Sequence, residues 1–146
     1  MKAYTSKEMK RFNYLYSEIN AAYHELSLKL GMSDSSMMVL YAICDNGDSC
    51  PLLEICRSSG VSKQTVNSAL RKLEAEDIVY LEAAGNKHKI VCLTEKGREL
   101  AKRTALLVIE MENQIFASWP KGDVEKYLEL TERFLADFRE KAGKQL

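Results

Sequence analysis

Between Ser62 and Glu74 the apolar positions Val66, Ala69, Leu70 and Leu73 recur at three- and four-residue spacing. That interval lays one stripe along a helix of about 3.6 residues per turn. Ser62 precedes the stripe with a hydroxyl able to accept from the unpaired amides of a first turn, so a helix is predicted to begin there. With Val66 at zero and about 100° per residue, Gln64, Asn67, Ser68 and Arg71 share an arc on the opposite side, with Thr65 and Lys72 on its rim. No carboxylate follows on this stretch until Glu74.

The flanking patterns complete a module. Pro51 to Ser59 sets Leu52, Ile55 and Cys56 at helical spacing, with Pro51 at a first helical position that tolerates its missing N–H, and Gly60-Val61 forms the joining turn. Downstream, Ile78-Val79-Tyr80-Leu81 and Ile90-Val91-Cys92-Leu93 read as strands, and Ala83 to Lys89, containing Gly85-Asn86, as a loop longer than a two-residue turn. Helix, turn, helix and hairpin is the order of a winged helix-turn-helix.

Longer helical patterns surround it. Thr5 and Glu8 have capping-box spacing, so a helix is expected to start near Ser6. Met9, Phe12, Tyr16, Ile19, Tyr23, Leu26 and Leu30 continue it to a stop at Gly31. Ser33 or Asp34 caps the next helix, whose apolar residues are Met37, Met38, Leu40, Tyr41 and Cys44 and whose end is Asn46-Gly47-Asp48. Thr94 and Glu95 begin a third long helix with Leu100, Thr104, Leu107, Val108, Met111, Ile115 and Phe116 as its buried stripe, ending before Pro120. Val124, Tyr127, Leu128, Thr131, Phe134, Leu135 and Phe138 mark a last helix that frays in the polar tail from Ala142. The first helix is too long for a small winged module to cover, and a partner subunit is the economical second surface. The expected fold is mainly α with a small β-hairpin wing: one domain over residues 1–146, with 33–98 as the winged helix-turn-helix and 1–31 and 100–146 as a helical dimerisation lobe.

Charge sharpens this picture. Lys plus Arg and Asp plus Glu both number 21, so the 146-residue chain has a formal net charge of zero, and any affinity for nucleic acid must be local. Between Gly60 and Leu73 the charged residues are Lys63, Arg71 and Lys72, and Lys87 and Lys89 sit at the hairpin. Two protruding elements thus share one sign, as a phosphate-facing surface requires. Arg suits guanine, Asn and Gln suit adenine, and Ser and Thr suit either. In a lone helix an ordinary solvated face is the commoner origin of such an arc; the flanking turn and basic hairpin shift the balance to DNA. The candidate contacts are Ser62, Lys63, Gln64, Thr65, Asn67, Ser68, Arg71 and Lys72 on the helix and Asn86, Lys87 and Lys89 on the hairpin.

The run from Pro51 to Leu100, above all Val61-Ser62-Lys63-Gln64-Thr65-Val66 with Leu73-Glu74 and the closing Leu93-Thr94-Glu95-Lys96-Gly97-Arg98-Glu99, resembles the MarR family of winged-helix transcriptional regulators. The resemblance implies a homodimer whose first and last helices interlock between subunits. It also implies a palindromic operator, released when a small molecule or an oxidant acts, and a repressor is the expected sense of regulation. A two-fold dimer presents its recognition helices to half-sites about 34 Å apart, so the operator should be an inverted repeat of double-stranded DNA. The family's hairpin usually carries Asp-x-Arg, the Arg entering the minor groove. Gly85, Asn86 and Lys87 match those positions here, so the Asp is absent and Lys lacks the planar fork that favours a narrow groove.

Family members often bind aromatic or phenolic effectors in a crevice, which here points to Tyr16, Tyr23, Met37 and Tyr41, with methionine making the lining adaptable. Tyrosines of this kind are more often core or interface residues. Cys44, Cys50, Cys56 and Cys92 are expected to be free thiols, since the spacing is poor for zinc and a reducing compartment is expected. Cys56 reads as a packing residue. Cys50, just before a predicted helix start where a thiol pKa is lowered, is the redox candidate. Oxidant-sensing family members instead carry their cysteine near the start of the first helix, where this chain has none. No apolar run approaches a signal-peptide core or the roughly 18 residues of a membrane helix, so a cytoplasmic protein without a membrane partner is expected. No Gly-rich phosphate loop, HExxH or G-x-S-x-G occurs, so neither an enzyme nor a cofactor or metal is expected. The alternatives to a ligand-released regulator are a thiol-based regulator using Cys50 and a winged-helix module that contacts another protein.

Overall fold

The computed structural model describes residues 4–145. Its first helix, α1 (Lys7–Lys29), is opened by Ser6, whose hydroxyl accepts from the Met9 amide at 3.1 Å. The cap is therefore Ser6 and not Thr5: of two adjacent hydroxyls, Ser6 is the one whose extended backbone aims its oxygen at the first turn. Leu30 closes α1, and Gly31 takes the left-handed φ of 75° that turns the chain. Ser33 caps α2 (Asp34–Asp45) by accepting from Ser36 N–H at 3.2 Å. His24 Nδ1 meets Asp34 Oδ2 at 2.7 Å, tying α1 to the start of α2.

The segment after α2 departs from the sequence expectation. Ser49–Pro51 form a short strand, β1, and α3 is Leu52–Ser59, so Pro51 lies outside the helix as its N-cap and Cys50 lies in a strand. Pro51 fits at the end of an edge strand, where the N–H it lacks is not needed by the ladder. Gly60 (φ 68°) turns the chain into α4 (Lys63–Ala75), which leads to β2 (Val79–Ala83) and β3 (Lys89–Leu93). The sheet is antiparallel in the order β1-β3-β2, with Cys50 opposite Val91, Tyr80 opposite Cys92 and Ala83 opposite Lys89. Its inward residues Cys50, Val79, Val91 and Leu93 join Leu40 and Ile43 of α2, Ile55 of α3, and Val66, Ala69, Leu70 and Leu73 of α4 in one buried core. Fully burying each large aliphatic side chain contributes about 1.5–3 kcal/mol.

Thr94 caps α5 (Glu95–Lys102) and pins it to the end of α4. Its hydroxyl donates to the Asp77 carbonyl at 2.6 Å and accepts from Gly97 N–H at 2.9 Å, while Lys96 Nζ donates to the Glu76 carbonyl at 2.9 Å. A Cβ on Gly97 would lie 2.0 Å from the Ile78 carbonyl oxygen. The Thr-Glu-Lys-Gly-Arg run is thus a clamp that only glycine permits to close.

The predicted third long helix is two helices. After α5 the chain tightens at Arg103–Thr104, where the N–H groups bond three residues back to Leu100 and Ala101 at 3.2 Å, and Thr104 Oγ1 donates to the Leu100 carbonyl at 2.7 Å. A β-branched hydroxyl bonding back to the preceding turn bends a helix, and α6 (Ala105–Ser118) starts afresh. The chain divides into one compact unit ending at Leu107 and a second from Val108. In the second, Phe116, Trp119 and Tyr127 close the corner around Pro120, with ring centroids 5.2 Å apart for Phe116–Trp119 and 5.7 Å for Trp119–Tyr127. From there α7 runs Lys121–Gln145, so helix continues through the Ala142–Gln145 stretch expected to fray; Leu146 lies outside the described residues.

The apolar stripes expected to be buried on the outer helices are covered only in part: Thr104 and Val108 are buried and Met9, Leu26, Leu30, Leu100 and Val124 half-buried. Phe12, Tyr16, Ile19 and Tyr23 on α1 are exposed, as are Leu107, Met111, Ile115 and Phe116 on α6 and Tyr127, Leu128, Phe134, Leu135 and Phe138 on α7. Among the described residues no helix is long and apolar enough to cross a membrane.

Candidate nucleic-acid interface

The centre of the site is α4. Ser62 Oγ accepts from Thr65 N–H at 3.2 Å and lies 2.9 Å from Thr65 Oγ1, so these two hydroxyls build the cap. Four residues anchor the helix to the core, and the opposite side is open: Lys63, Gln64, Thr65, Ser68, Arg71 and Lys72 are exposed and Asn67 is half-buried. Among the described residues, ion pairs join Arg57 to Glu54, Lys102 to Glu99 and Lys144 to Glu140, His24 hydrogen-bonds to Asp34, and no carboxylate engages Lys63, Arg71, Lys87 or Lys89. The cationic groups of this face thus remain available to anions.

The wing is a five-residue loop from Ala84 to His88, closed by the Ala84 N–H donating to the His88 carbonyl at 3.0 Å. Gly85 (φ 76°) and Lys87 (φ 64°) both take the left-handed conformation. That geometry is ordinary for glycine but uncommon for lysine, and it sets the direction from which the Lys87 side chain leaves the loop. Asn86, Lys87 and Lys89 are all exposed.

The helix and the wing share a groove of about 670 Å³, lined by Lys63 and Asn67 from α4, Lys87, His88 and Lys89 from the wing, and Leu52, Leu53 and Cys56 from α3. None of its described lining residues is acidic. The fold therefore brings together the basic groups that the sequence places on separate elements. It also adds residues that sequence reasoning missed. Leu53, 60% exposed, stands off the Leu52, Ile55, Cys56 stripe, and that misplacement was its only signal. Cys56, expected as a packing residue, is half-buried and lines the groove. His88 carried no pattern of its own.

The effector candidates are split. Met37 is in the core, Tyr41 is half-buried, and Tyr16 and Tyr23 are exposed on α1. The redox expectation for Cys50 is corrected: it is a fully buried strand residue, not a helix-start thiol, and burial, with Glu54 and Asp45 adding their charge, pushes its pKa up where a reactive thiol needs it lowered. Burial and the Asp48 charge raise Cys44 to about 11. Among the described residues no group of three or more His, Cys, Asp or Glu side chains is placed to hold a metal ion.

A MarR family model matches residues 30–90, the stretch from the end of α1 through the wing. Solved structures match nearly the whole chain. A MarR family regulator from Neisseria meningitidis, NMB1585, superposes with a TM-score of 0.82 at 14% identity, covering 97% of this chain and 100% of its own. The S. aureus MepR–DNA complex gives 0.66 at 18% identity, over 92% and 98%. Bordetella bronchiseptica BpsR, whose DNA binding is regulated by 6-hydroxynicotinic acid, gives 0.65 at 16% identity, over 88% and 98%. No curated protein sequence matches the chain.

Proposed function

We propose that this chain, whose residues 30–90 match a MarR family model and whose fold is a winged helix, is a transcriptional regulator of that family that binds an inverted-repeat operator as a homodimer, represses from it, and is released by a small aromatic effector. The observation that carries the reading is the open, acid-free polar face of α4 sharing one groove with the basic wing. A face of amide, hydroxyl and guanidinium groups beside unpaired lysines is complementary to base edges flanked by phosphates. Gln64, Ser68 and Arg71 read bases; Lys63, Lys72, Lys87 and Lys89 neutralise phosphates, with Ser62, Thr65, Asn67 and Asn86 lining the contact.

The exposed apolar residues along each of α1, α6 and α7 support a second copy as the partner, since large exposed apolar faces mark interaction surfaces. In this reading residues 1–31 and 100–146 serve dimerisation and residues 33–98 serve DNA binding. The relative regulated by 6-hydroxynicotinic acid supports an aromatic acid as effector class, with Tyr16, Tyr23, Met37 and Tyr41 as the residues it would engage.

Selection of duplexes from a random pool, followed by titration of the winner, tests the proposal. We expect an inverted repeat with half-site centres about 34 Å apart, two chains per duplex, and an affinity that falls steeply as salt rises. Failure to enrich any duplex, with binding insensitive to salt, would assign the face to a protein contact instead. A panel of aromatic acids that neither shifts the melting temperature nor releases the operator would remove the effector.

A further inference from the structure

Resting on the DNA-binding reading above, we propose that the polar side of α4 is divided into two tracks and that Asn67 belongs to the one that grips phosphate, not to the one that reads bases. By residue type alone Asn67 is an adenine reader, through paired bonds to N6 and N7. Its position contradicts that assignment. With Val66 at zero and about 100° per residue, Arg71, Gln64 and Ser68 fall near 140°, 160° and 200°, whereas Lys63 and Asn67 fall near 60° and 100°, on the flank. Gln64, Ser68 and Arg71 are exposed, and Asn67 is half-buried. Lys63 and Asn67 line the groove against Lys87, His88 and Lys89 of the wing, whereas Gln64, Ser68 and Arg71 do not line it.

A helix about 10–12 Å across nearly fills a major groove about 12 Å wide. Its outermost arc meets base edges, and its flanks meet the two sugar-phosphate strands. The flank bearing Asn67 also carries the cations, which draw a phosphate strand between helix and wing. A short carboxamide recessed beside three lysines is placed to donate its Nδ2–H to a phosphate oxygen, a common partner for asparagine in such complexes.

The test measures affinities for the selected operator and for random duplex at several salt concentrations. Asn67→Ala is expected to weaken both duplexes alike by at least about tenfold, one charge-assisted hydrogen bond being lost from each subunit, with their ratio and the salt slope unchanged. Asn67→Asp, which keeps the shape and adds a negative charge to the cationic groove, should weaken both further with the same sequence preference. Lys63→Ala, which removes one phosphate contact from each of the two subunits, should flatten the log–log salt slope by about 1.8. Arg71→Ala should instead shrink the operator-to-random ratio by about fivefold to more than a hundredfold. The proposal is overturned if Asn67→Ala relaxes the preference at one base pair, or if both Asn67 variants bind like the parent. A parent protein that binds no duplex would bring down the DNA-binding reading itself.

Discussion

The segment from α2 to α5 and the outer helices α1 and α7 both carry apolar residues at helical spacing, with opposite fates for them. In the first, Leu40, Ile43, Ile55, Val66, Leu73 and Val91 are sealed from solvent by neighbours in the same chain. In the second, Phe12, Ile19, Leu128, Leu135 and Phe138 lie open, and of the residues of α1 only Ser27 is buried. The same periodicity therefore encodes two different things. In the winged segment it specifies a self-sufficient core, and in the long helices it leaves apolar faces exposed, which on the proposed reading a second copy completes. The distinction has a thermodynamic signature: stability that comes from one chain is independent of concentration, whereas stability that comes from association follows mass action.

The largest expected effect comes from breaking the association. Leu128→Glu together with Leu135→Glu places two charges on the open face of α7, and light scattering should then report the mass of one chain where the parent gives twice that mass. Operator affinity should fall by about 10²–10⁴, the gain expected from linking two half-site contacts, and the melting temperature should lose its dependence on protein concentration. A parent that is itself monomeric at micromolar concentration would erase the comparison. Next in size is Leu73→Ala. Truncating this buried leucine of α4 should destabilise the protein by about 2–5 kcal/mol at every concentration, measured by denaturant unfolding, whereas Leu128→Ala should show its loss chiefly on dilution.

The same contrast governs how much could be read from the chain. The Ser62 cap, the four-residue stripe of α4, a cap at Ser33 or Asp34 and the two wing strands were legible because each is decided within a few residues of itself. The strand Ser49–Pro51 was not: a three-residue segment with a serine and a proline has no period of its own and exists because β3 pairs with it. That pairing also removed Cys50 from the helix start where sequence would place it. The break at Thr104 was hidden because the stripe Leu100, Thr104, Leu107, Val108 continues in phase across it, and what marks it is hydrogen bonding that periodicity does not show: the Arg103 and Thr104 N–H groups bonding three residues back and the Thr104 hydroxyl bonding to Leu100. At the site, the polar arc of α4 was visible, but the split between its flank and its crest depends on where α3 and the wing lie. Periodicity carries no information about that.

The clamp on α5 separates the two regions more finely, because it belongs to the winged segment but lies outside its apolar core. Gly97→Ala brings a methyl against the backbone oxygen of Ile78, which cannot swing aside as a flexible side chain would. The expected loss is about 1–3 kcal/mol, independent of concentration, with the dimer mass retained. A substitution here that lowered the mass while leaving the unfolding midpoint untouched would show that the clamp serves association and not the fold of the winged segment.

The smallest effect is at the start of α4. Ser62→Ala removes the acceptor for the Thr65 amide and the partner of the Thr65 hydroxyl, a loss of about 1 kcal/mol typical of an N-cap. Ser62→Asp restores an acceptor for the cap but sets a negative charge beside Lys63 on the face offered to DNA. Stability and affinity should therefore part company: Ser62→Ala lowers the melting temperature and weakens operator binding only slightly, whereas Ser62→Asp recovers the melting temperature and weakens binding strongly, more so at low salt where charge is least screened. If the two variants instead tracked each other in both measurements, Ser62 would act on DNA only through the stability of its helix, and the interface would begin at Lys63.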